Sequence, residues 1–192
     1  DNVNAGKTLF DLYHLTGKEK YRKAIDTVYS QLKGQPRTSS GNFWHKMIYP
    51  NQIWLDGLYM AQPFYMQYEA EYNGCKNCED SYQQFLQVYD RMRDPLNGLY
   101  YHAYDDSRQM FWCDKVTGLS ENFWLRAMGW YAMALIDTME VMPESMTCQK
   151  ARLNAIYKEL IDAMLPYQDQ ATGMWYQVVN RGGIAPNYLE ES

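Results

Sequence analysis

The feature that most constrains the fold is an alternation between two kinds of helical segment. Ile53-Trp54-Leu55-Asp56-Gly57-Leu58-Tyr59-Met60 and Trp124 to Ile136 are apolar almost all round, whereas Lys18 to Leu32 and Ala151 to Met164 carry charge along one face. A helix that is apolar on every side has to be covered on every side. In a simple bundle each helix keeps one polar face, so the alternation points to inner helices ringed by outer amphipathic ones, with a three-hairpin bundle as the alternative. The periodicity predicts three helical hairpins. They pair Gly6 to His14 with Lys18 to Leu32 across the stop signal Thr16-Gly17, Gln52 to Tyr72 with Asp80 to Asp94, and Glu121 to Met142 with Gln149 to Pro166.

Gly-led aromatic stretches recur in the connecting segments: Gly41-Asn42-Phe43-Trp44-His45, Gly98-Leu99-Tyr100-Tyr101-His102 and Gly173-Met174-Trp175-Tyr176-Gln177. A repeat of this kind predicts extended segments on one rim and puts His45, His102 and Gln177 at equivalent places around a common centre.

Composition narrows the function classes. The 192 residues include 46% hydrophobic residues, enough for one globular core. A net charge of −5 argues against a nucleic-acid surface, which needs clustered Lys and Arg. No uncharged apolar run approaches bilayer length, and the opening Asp1-Asn2-Val3-Asn4 is neither a basic segment nor a signal peptide, so no membrane partner is expected. Cys75 and Cys78 lack a second pair to complete a zinc tetrad. They read as a surface turn or a local disulfide, and no metal is expected. Phosphate-cradling loops, Gly-x-Ser-x-Gly elbows and paired-His motifs are missing too, which leaves cofactor-free acid/base chemistry. The aromatic share is 16%, with 18 Tyr and 6 Trp, and suits a sugar cleft as well as a core.

Two carboxylates stand out. Asp56 is embedded among Ile53, Trp54, Leu55, Leu58 and Tyr59, so it has to be paired, hydrogen-bonded or protonated, with Arg126 as an available partner. Asp114, in Trp112-Cys113-Asp114-Lys115-Val116-Thr117-Gly118, stands two residues from an indole. It reads either as an acid kept protonated by an aromatic wall or as an Asx-type turn residue, the commoner case. Asp105-Asp106-Ser107-Arg108 reads as an exposed turn whose side chains serve backbone hydrogen bonds.

Trp54-Leu55-Asp56-Gly57-Leu58-Tyr59-Met60 with Pro63-Phe64, Trp112-Cys113-Asp114, Phe123-Trp124-Leu125-Arg126-Ala127-Met128-Gly129-Trp130 and Asn187-Tyr188-Leu189-Glu190 form an ordered set spanning nearly the whole chain. In this set the chain resembles the unsaturated rhamnogalacturonyl hydrolases, relatives of the unsaturated glucuronyl hydrolases. The resemblance implies an all-α, six-hairpin (α/α)6 toroid and an oligosaccharide partner. It also implies removal of a 4,5-unsaturated uronic acid from the non-reducing end by hydration of its vinyl ether, with no cofactor. It assigns the acid/base role to Asp114, with Asp56 as second carboxylate and Trp112 flanking the sugar. His102 and Gln177 are then hydrogen-bonding groups, with His45 at the equivalent place, and Tyr188 is a stacking face. Relatives hold the substrate carboxylate with a basic residue just before the Asn-Tyr motif; here Gly182-Gly183-Ile184-Ala185-Pro186 offers none and Arg181 takes that place. Three hairpins are half of such a toroid, so residues 1–192 are expected to be one glycoside-hydrolase domain lacking an N-terminal helix and the C-terminal hairpins, inactive or aggregating alone.

Other readings of the same residues are an inverting glycosidase or sugar epimerase using Asp56 and Asp114 as acid and base, and a sugar-binding helical repeat without turnover.

Overall fold

The computed structural model describes residues 2–190. Asp1 and Glu191-Ser192 lie outside the described residues. The three expected hairpins are present. Helices α1 (Lys7–Thr16) and α2 (Glu19–Lys33) turn at Gly17, whose left-handed φ of 60° lets its N–H reach Tyr13 O at 2.8 Å. The other two hairpins are α3 (Leu55–Tyr72) with α4 (Cys78–Met92) and α5 (Leu125–Val141) with α6 (Thr147–Met164).

Helices α3 and α5 begin three to four residues later than their apolar pattern suggested, because tertiary pairing claims the residues before them. Gln52–Trp54 forms β1, antiparallel to β2 (Ala103–Asp105) with Trp54 opposite Ala103, and Trp124 bridges to Val178. A second short ribbon pairs β3 (Trp175–Tyr176) with β4 (Leu189–Glu190). The first helical N–H of α3, from Leu55, donates to His102 O at 3.1 Å, and that of α5, from Leu125, donates to Gln177 O at 2.8 Å. Each inner helix is thus started by the aromatic segment of the following repeat, and His102 and Gln177 are structural equivalents as their sequence context predicted.

Helices α3 and α5 pack against each other more extensively than any other pair, and α4 and α6 cover them from outside. Leu55, Leu58 and Met66 meet Leu125, Met128, Tyr131 and Leu135, all buried, under a layer of Phe85, Val88, Leu153, Ile156 and Leu160. A smaller core on the other flank of α3 joins Phe64 and Tyr65 to Phe10, Ile25, Tyr29 and Leu32. Burying a side chain of this size contributes roughly 1.5–3 kcal/mol, so the charged faces of α2 and α6 have little need to contribute.

One turn recurs three times on the rim. In Asp94-Pro95-Leu96-Asn97-Gly98, Asp114-Lys115-Val116-Thr117-Gly118 and Asp169-Gln170-Ala171-Thr172-Gly173 the Gly N–H returns to the Asp carbonyl at 2.8 Å. The Asp carboxylate is held by the residue three places on: Asn97 Nδ2 at 2.8 Å, Thr117 Oγ1 at 2.9 Å and Thr172 Oγ1 at 2.8 Å. The glycines adopt φ of 78°, 82° and 74°. At Gly118 an added Cβ would also lie 2.6 Å from Asp105 O.

Between α3 and α4, the fully buried Glu69 carboxylate accepts from Tyr29 Oη, from the side-chain amides of Asn73 and Asn77, and from Asn77 N. Cys75 and Cys78 beside it are disulfide-bonded, the second of the two readings the sequence allowed. Desolvation raises the pKa of Glu69, but these donors outweigh it and hold the carboxyl below its ordinary value. Glu69→Ala strands several buried donors and is expected to lower the unfolding free energy by about 2–4 kcal/mol, read from urea denaturation; an unchanged midpoint would rule out this anchoring role.

Candidate active site

Trp54 and Trp124 are the N-cap residues of α3 and α5, and the charged residues Asp56 and Arg126 stand two places after them on the two neighbouring helices. Aromatic contacts run continuously between these caps. His45 and Tyr49 stack on Trp54 with centroids 4.7 and 5.1 Å away, His102 meets Trp54 edge-on at 4.7 Å and Trp124 at 5.0 Å, and the Arg126 guanidinium lies 3.8 Å above Trp124. Gly57 permits this close fit, since a Cβ there would lie 3.0 Å from His45 Nδ1. Trp54, His102 and Trp124 form one wall of a cleft of about 800 Å³, with Trp112, Asn122 and Gln177 across and beside it.

Asp56 sits at this end of the helix pair with only 10% of its side chain exposed. Its Oδ1 lies 3.8 Å from Arg126 Nη1, and its Oδ2 is buried without a partner. Desolvation dominates and raises its pKa, opposed by its own backbone N–H and by Arg126 and Lys46. The ion pair expected as one alternative for Asp56 is therefore present but loose. Two residues that line the cleft also carry buried polar atoms without partners, His102 Nε2 and Asn122 Oδ1. Convergent unpaired polar groups in an apolar cleft are the usual make-up of a ligand site. Burial first, then the charge of Arg126 at His102 and of Lys46 at His45, pushes the imidazoles down to about 4 at His102 and about 3 at His45, so both rings are neutral near pH 7.

Asp114 is placed differently from the sequence expectation of an acid kept protonated by Trp112. Its carboxylate is exposed, and its Oδ1 accepts from Val116 N at 2.9 Å, Thr117 N at 2.6 Å and Thr117 Oγ1 at 2.9 Å. These donors stabilise the ionised form and lower its pKa, the opposite of what a proton donor needs. Asp94 and Asp169 occupy the same turn, so Asp114 is the middle member of a scaffold repeat, and the Asx-type reading describes it. The signal was legible as Asp-x-x-Asn/Thr-Gly at three places. Asp105 also departs from expectation. It is fully buried and accepts from Ser107 N, Gln109 N and Met110 N, so its role in backbone bonding holds while its exposure does not.

Of the other expected residues, Trp112 and Gln177 line the cleft, the Gln177 amide donating to Glu190 at 2.6 Å. His45 stands behind Trp54, against a small cavity shared with Phe43 and Trp44. Tyr188 contributes its carbonyl to Gln177 N, but the residue is 67% exposed and outside the cleft lining. Arg181 is engaged with Glu121 at 3.0 Å and is not aimed at Asp56. Sequence reasoning gave no site role to Trp54, Trp124 or Asn122; the parallel between Trp54-Leu55-Asp56 and Trp124-Leu125-Arg126 was the available clue.

The model of glycosyl hydrolase family 88 matches residues 1–192. The chain belongs to glycosyl hydrolase family 88. Among relatives, this family 88 chain is 28% identical over 201 residues to the unsaturated rhamnogalacturonyl hydrolase YesR of Bacillus subtilis, covering 100% of this chain and 54% of YesR. A family 105 glycoside hydrolase of C. acetobutylicum superposes with a TM-score of 0.94 at 47% identity, over 99% of this chain and 52% of that one. The unsaturated glucuronyl hydrolase of Bacillus sp. GL1 shares the fold, with a TM-score of 0.69 at 13% identity, over 93% of this chain and 48% of that one. The chain spans about half the length of the curated relatives it matches. Its three hairpins are accordingly half of an α/α toroid.

The buried histidines make stability pH-dependent. In the unfolded chain they protonate near 6.5, while in the fold they hold off to about 4 and about 3. Between these values the unfolded state binds more protons, so stability falls as pH drops below about 6.5. Asp56, whose folded pKa is raised, opposes this at the acid end. The urea midpoint is expected to decline from pH 7 to pH 5, and His102→Gln, which copies the equivalent Gln177, to flatten that decline; an unaltered slope would contradict the burial of a neutral imidazole.

Proposed function

We propose that this family 88 chain carries the proton donor of a hydrolase that removes a 4,5-unsaturated uronic acid from lyase-generated oligosaccharides, and that the donor is Asp56. The observation that carries the reading is the Asp56 carboxyl: buried, raised in pKa, unpaired at Oδ2, and in the first turn of α3 two residues after Trp54, the cap residue that lines the cleft. A carboxyl in that condition holds its proton to higher pH than an ordinary carboxyl and has an unpaired oxygen from which to deliver it.

In the proposed reaction the Asp56 proton passes to C4 of the enol ether, and the positive charge at C5 is shared with the ring oxygen. Water adds to C5 and returns a proton to the carboxylate. The resulting hemiketal opens to a ketone by breaking the bond from C5 to the ring oxygen, and the C1 hemiacetal so freed expels the remaining saccharide as an alcohol. Trp54 and Trp124 offer faces for the flat unsaturated ring. Neutral His102 and Asn122 offer hydrogen bonds to its hydroxyls, and Arg126 is the cation nearest Asp56 for the ring carboxylate. Rhamnogalacturonan fragments are the favoured source, supported by the match to YesR along the whole chain. The acid and base pair of an inverting glycosidase is disfavoured, because the Asp114 carboxylate is committed to its turn.

The conjugated double bond absorbs in the ultraviolet, and its loss follows turnover. Asp56→Asn is expected to lower kcat by about 10²- to 10⁴-fold without lowering Tm, since the amide is close in size and shape to the protonated carboxyl that burial favours. Asp114→Asn keeps the turn acceptor and is expected to stay within about threefold of wild type. The reverse ranking would overturn the assignment of the donor.

A general acid has to be protonated, so kcat/KM is expected to fall as pH rises through the raised pKa of Asp56. Arg126 pulls that pKa down, so Arg126→Gln should carry this alkaline limb to higher pH, whatever it does to KM. A limb that stays in place would show that another group controls it.

A further inference from the structure

We propose that the Cys75–Cys78 disulfide is a reversible thiol–disulfide exchange site, attacked at Cys75 by a small thiol, and that its reduction releases the loop that clamps Glu69. The proposal does not depend on the hydrolase reading above. It concerns the far end of α3, where Glu69 lies about 20 Å along the helix from Asp56. The two sulfurs are unequally placed. Cys75 is half-buried, between the exposed Gly74 and Lys76, whereas Cys78 is 2% exposed. An incoming thiolate therefore reaches the Cys75 sulfur. It forms a mixed disulfide there as the bond to Cys78 breaks, and the bonding pair leaves on Cys78 Sγ. Cys78 is the first residue of α4, whose cap residue Asn77 makes no side-chain capping bond, and a helix N-terminus favours a thiolate. The acids of that turn are engaged, Asp80 with Arg37 at 2.8 Å and Glu79 with the amides of Gln83 and Gln149. A second thiol then attacks the first and frees Cys75. Two thiols become one disulfide, and their protons and two electrons end on Cys75 and Cys78.

What the bond holds is the clamp on Glu69. Asn77, between the two cysteines, donates N and Nδ2 to the buried carboxylate at 2.9 and 3.0 Å, and Cys75 N donates to the Glu69 carbonyl at 2.7 Å. Cys75 itself keeps a left-handed φ of 59°, which a side chain with a Cβ adopts at a cost. With the cross-link open, nothing covalent keeps this residue turned back toward α4. The turn can then relax, and the donors carried by Asn77 move with it.

The test uses protein carrying Cys148→Ser, which removes the exposed free thiol and keeps the buried Cys113 as a reporter of global unfolding. Brief treatment with glutathione, without denaturant, is stopped with iodoacetamide, and the adducts are located by mass spectrometry. Glutathione is expected on Cys75 and the alkyl group on Cys78, with Cys113 unlabelled. Full reduction with dithiothreitol should then lower Tm by about 2–8 °C. It should also speed amide hydrogen exchange at Cys75 and Asn77 by about tenfold or more, and removal of the reductant in air should reverse both changes. Glutathione found on Cys78, or reduction only where Cys113 is labelled as well, overturns the exchange site, because the bond is then opened from the other side or only by unfolding. Reduction that leaves exchange at Asn77 unchanged overturns the release of the Glu69 clamp.

Discussion

The packing of α3 against α5 is the contact on which the remaining structure depends. It buries Leu55, Leu58 and Met66 against Leu125, Met128, Tyr131 and Leu135, and it sets the two helix starts side by side at one rim. Because the helices begin at equivalent points of a repeat, their N-cap indoles and the charged residues two places later are brought into register. Asp56 and Arg126 are neighbours for that reason, 70 residues apart in the chain yet 3.8 Å apart in space. Apolar packing positions the charges; at that separation, with Arg126 half exposed, the ion pair itself adds little.

Two aspartates beside indoles are driven in opposite directions by their surroundings. Asp114 is solvated and saturated with hydrogen-bond donors, which favour its charged form. Asp56 is desolvated with one oxygen unpaired, which favours its protonated form. The first condition makes a good turn and the second a good proton donor. Proximity to tryptophan in the sequence does not distinguish them, because Trp112 and Asp114 do not share a buried environment, whereas Trp54 and Asp56 bracket the first residue of a covered helix. The rim turns containing Asp94, Asp114 and Asp169 instead supply a rigid edge, and the segment leading to Asp114 is fixed from beneath by Asp105.

What the sequence determined by itself was the helical architecture. Periodicity and the all-round apolar character of two segments specified three hairpins and identified the inner helices, because hydrophobic burial acts on every turn of a helix and leaves its mark in composition. The equivalence of His102 and Gln177 was legible for a similar reason: each provides the carbonyl that starts an inner helix, and the surrounding Gly and aromatic residues repeat with it. The ordered motifs likewise carried the family. Tertiary structure alone decided where the helices begin, since strand pairing at Gln52–Trp54 and the bridge at Trp124 override local helix preference. It also decided which aspartate is buried and which is held in a solvated turn, and which expected residues line the cleft. Tyr188 and Arg181 are not among the residues that line it, and Trp54 and Trp124 form its wall. Those outcomes depend on burial, on donor geometry and on neighbours far along the chain, and none of these is a property of a residue and its immediate sequence.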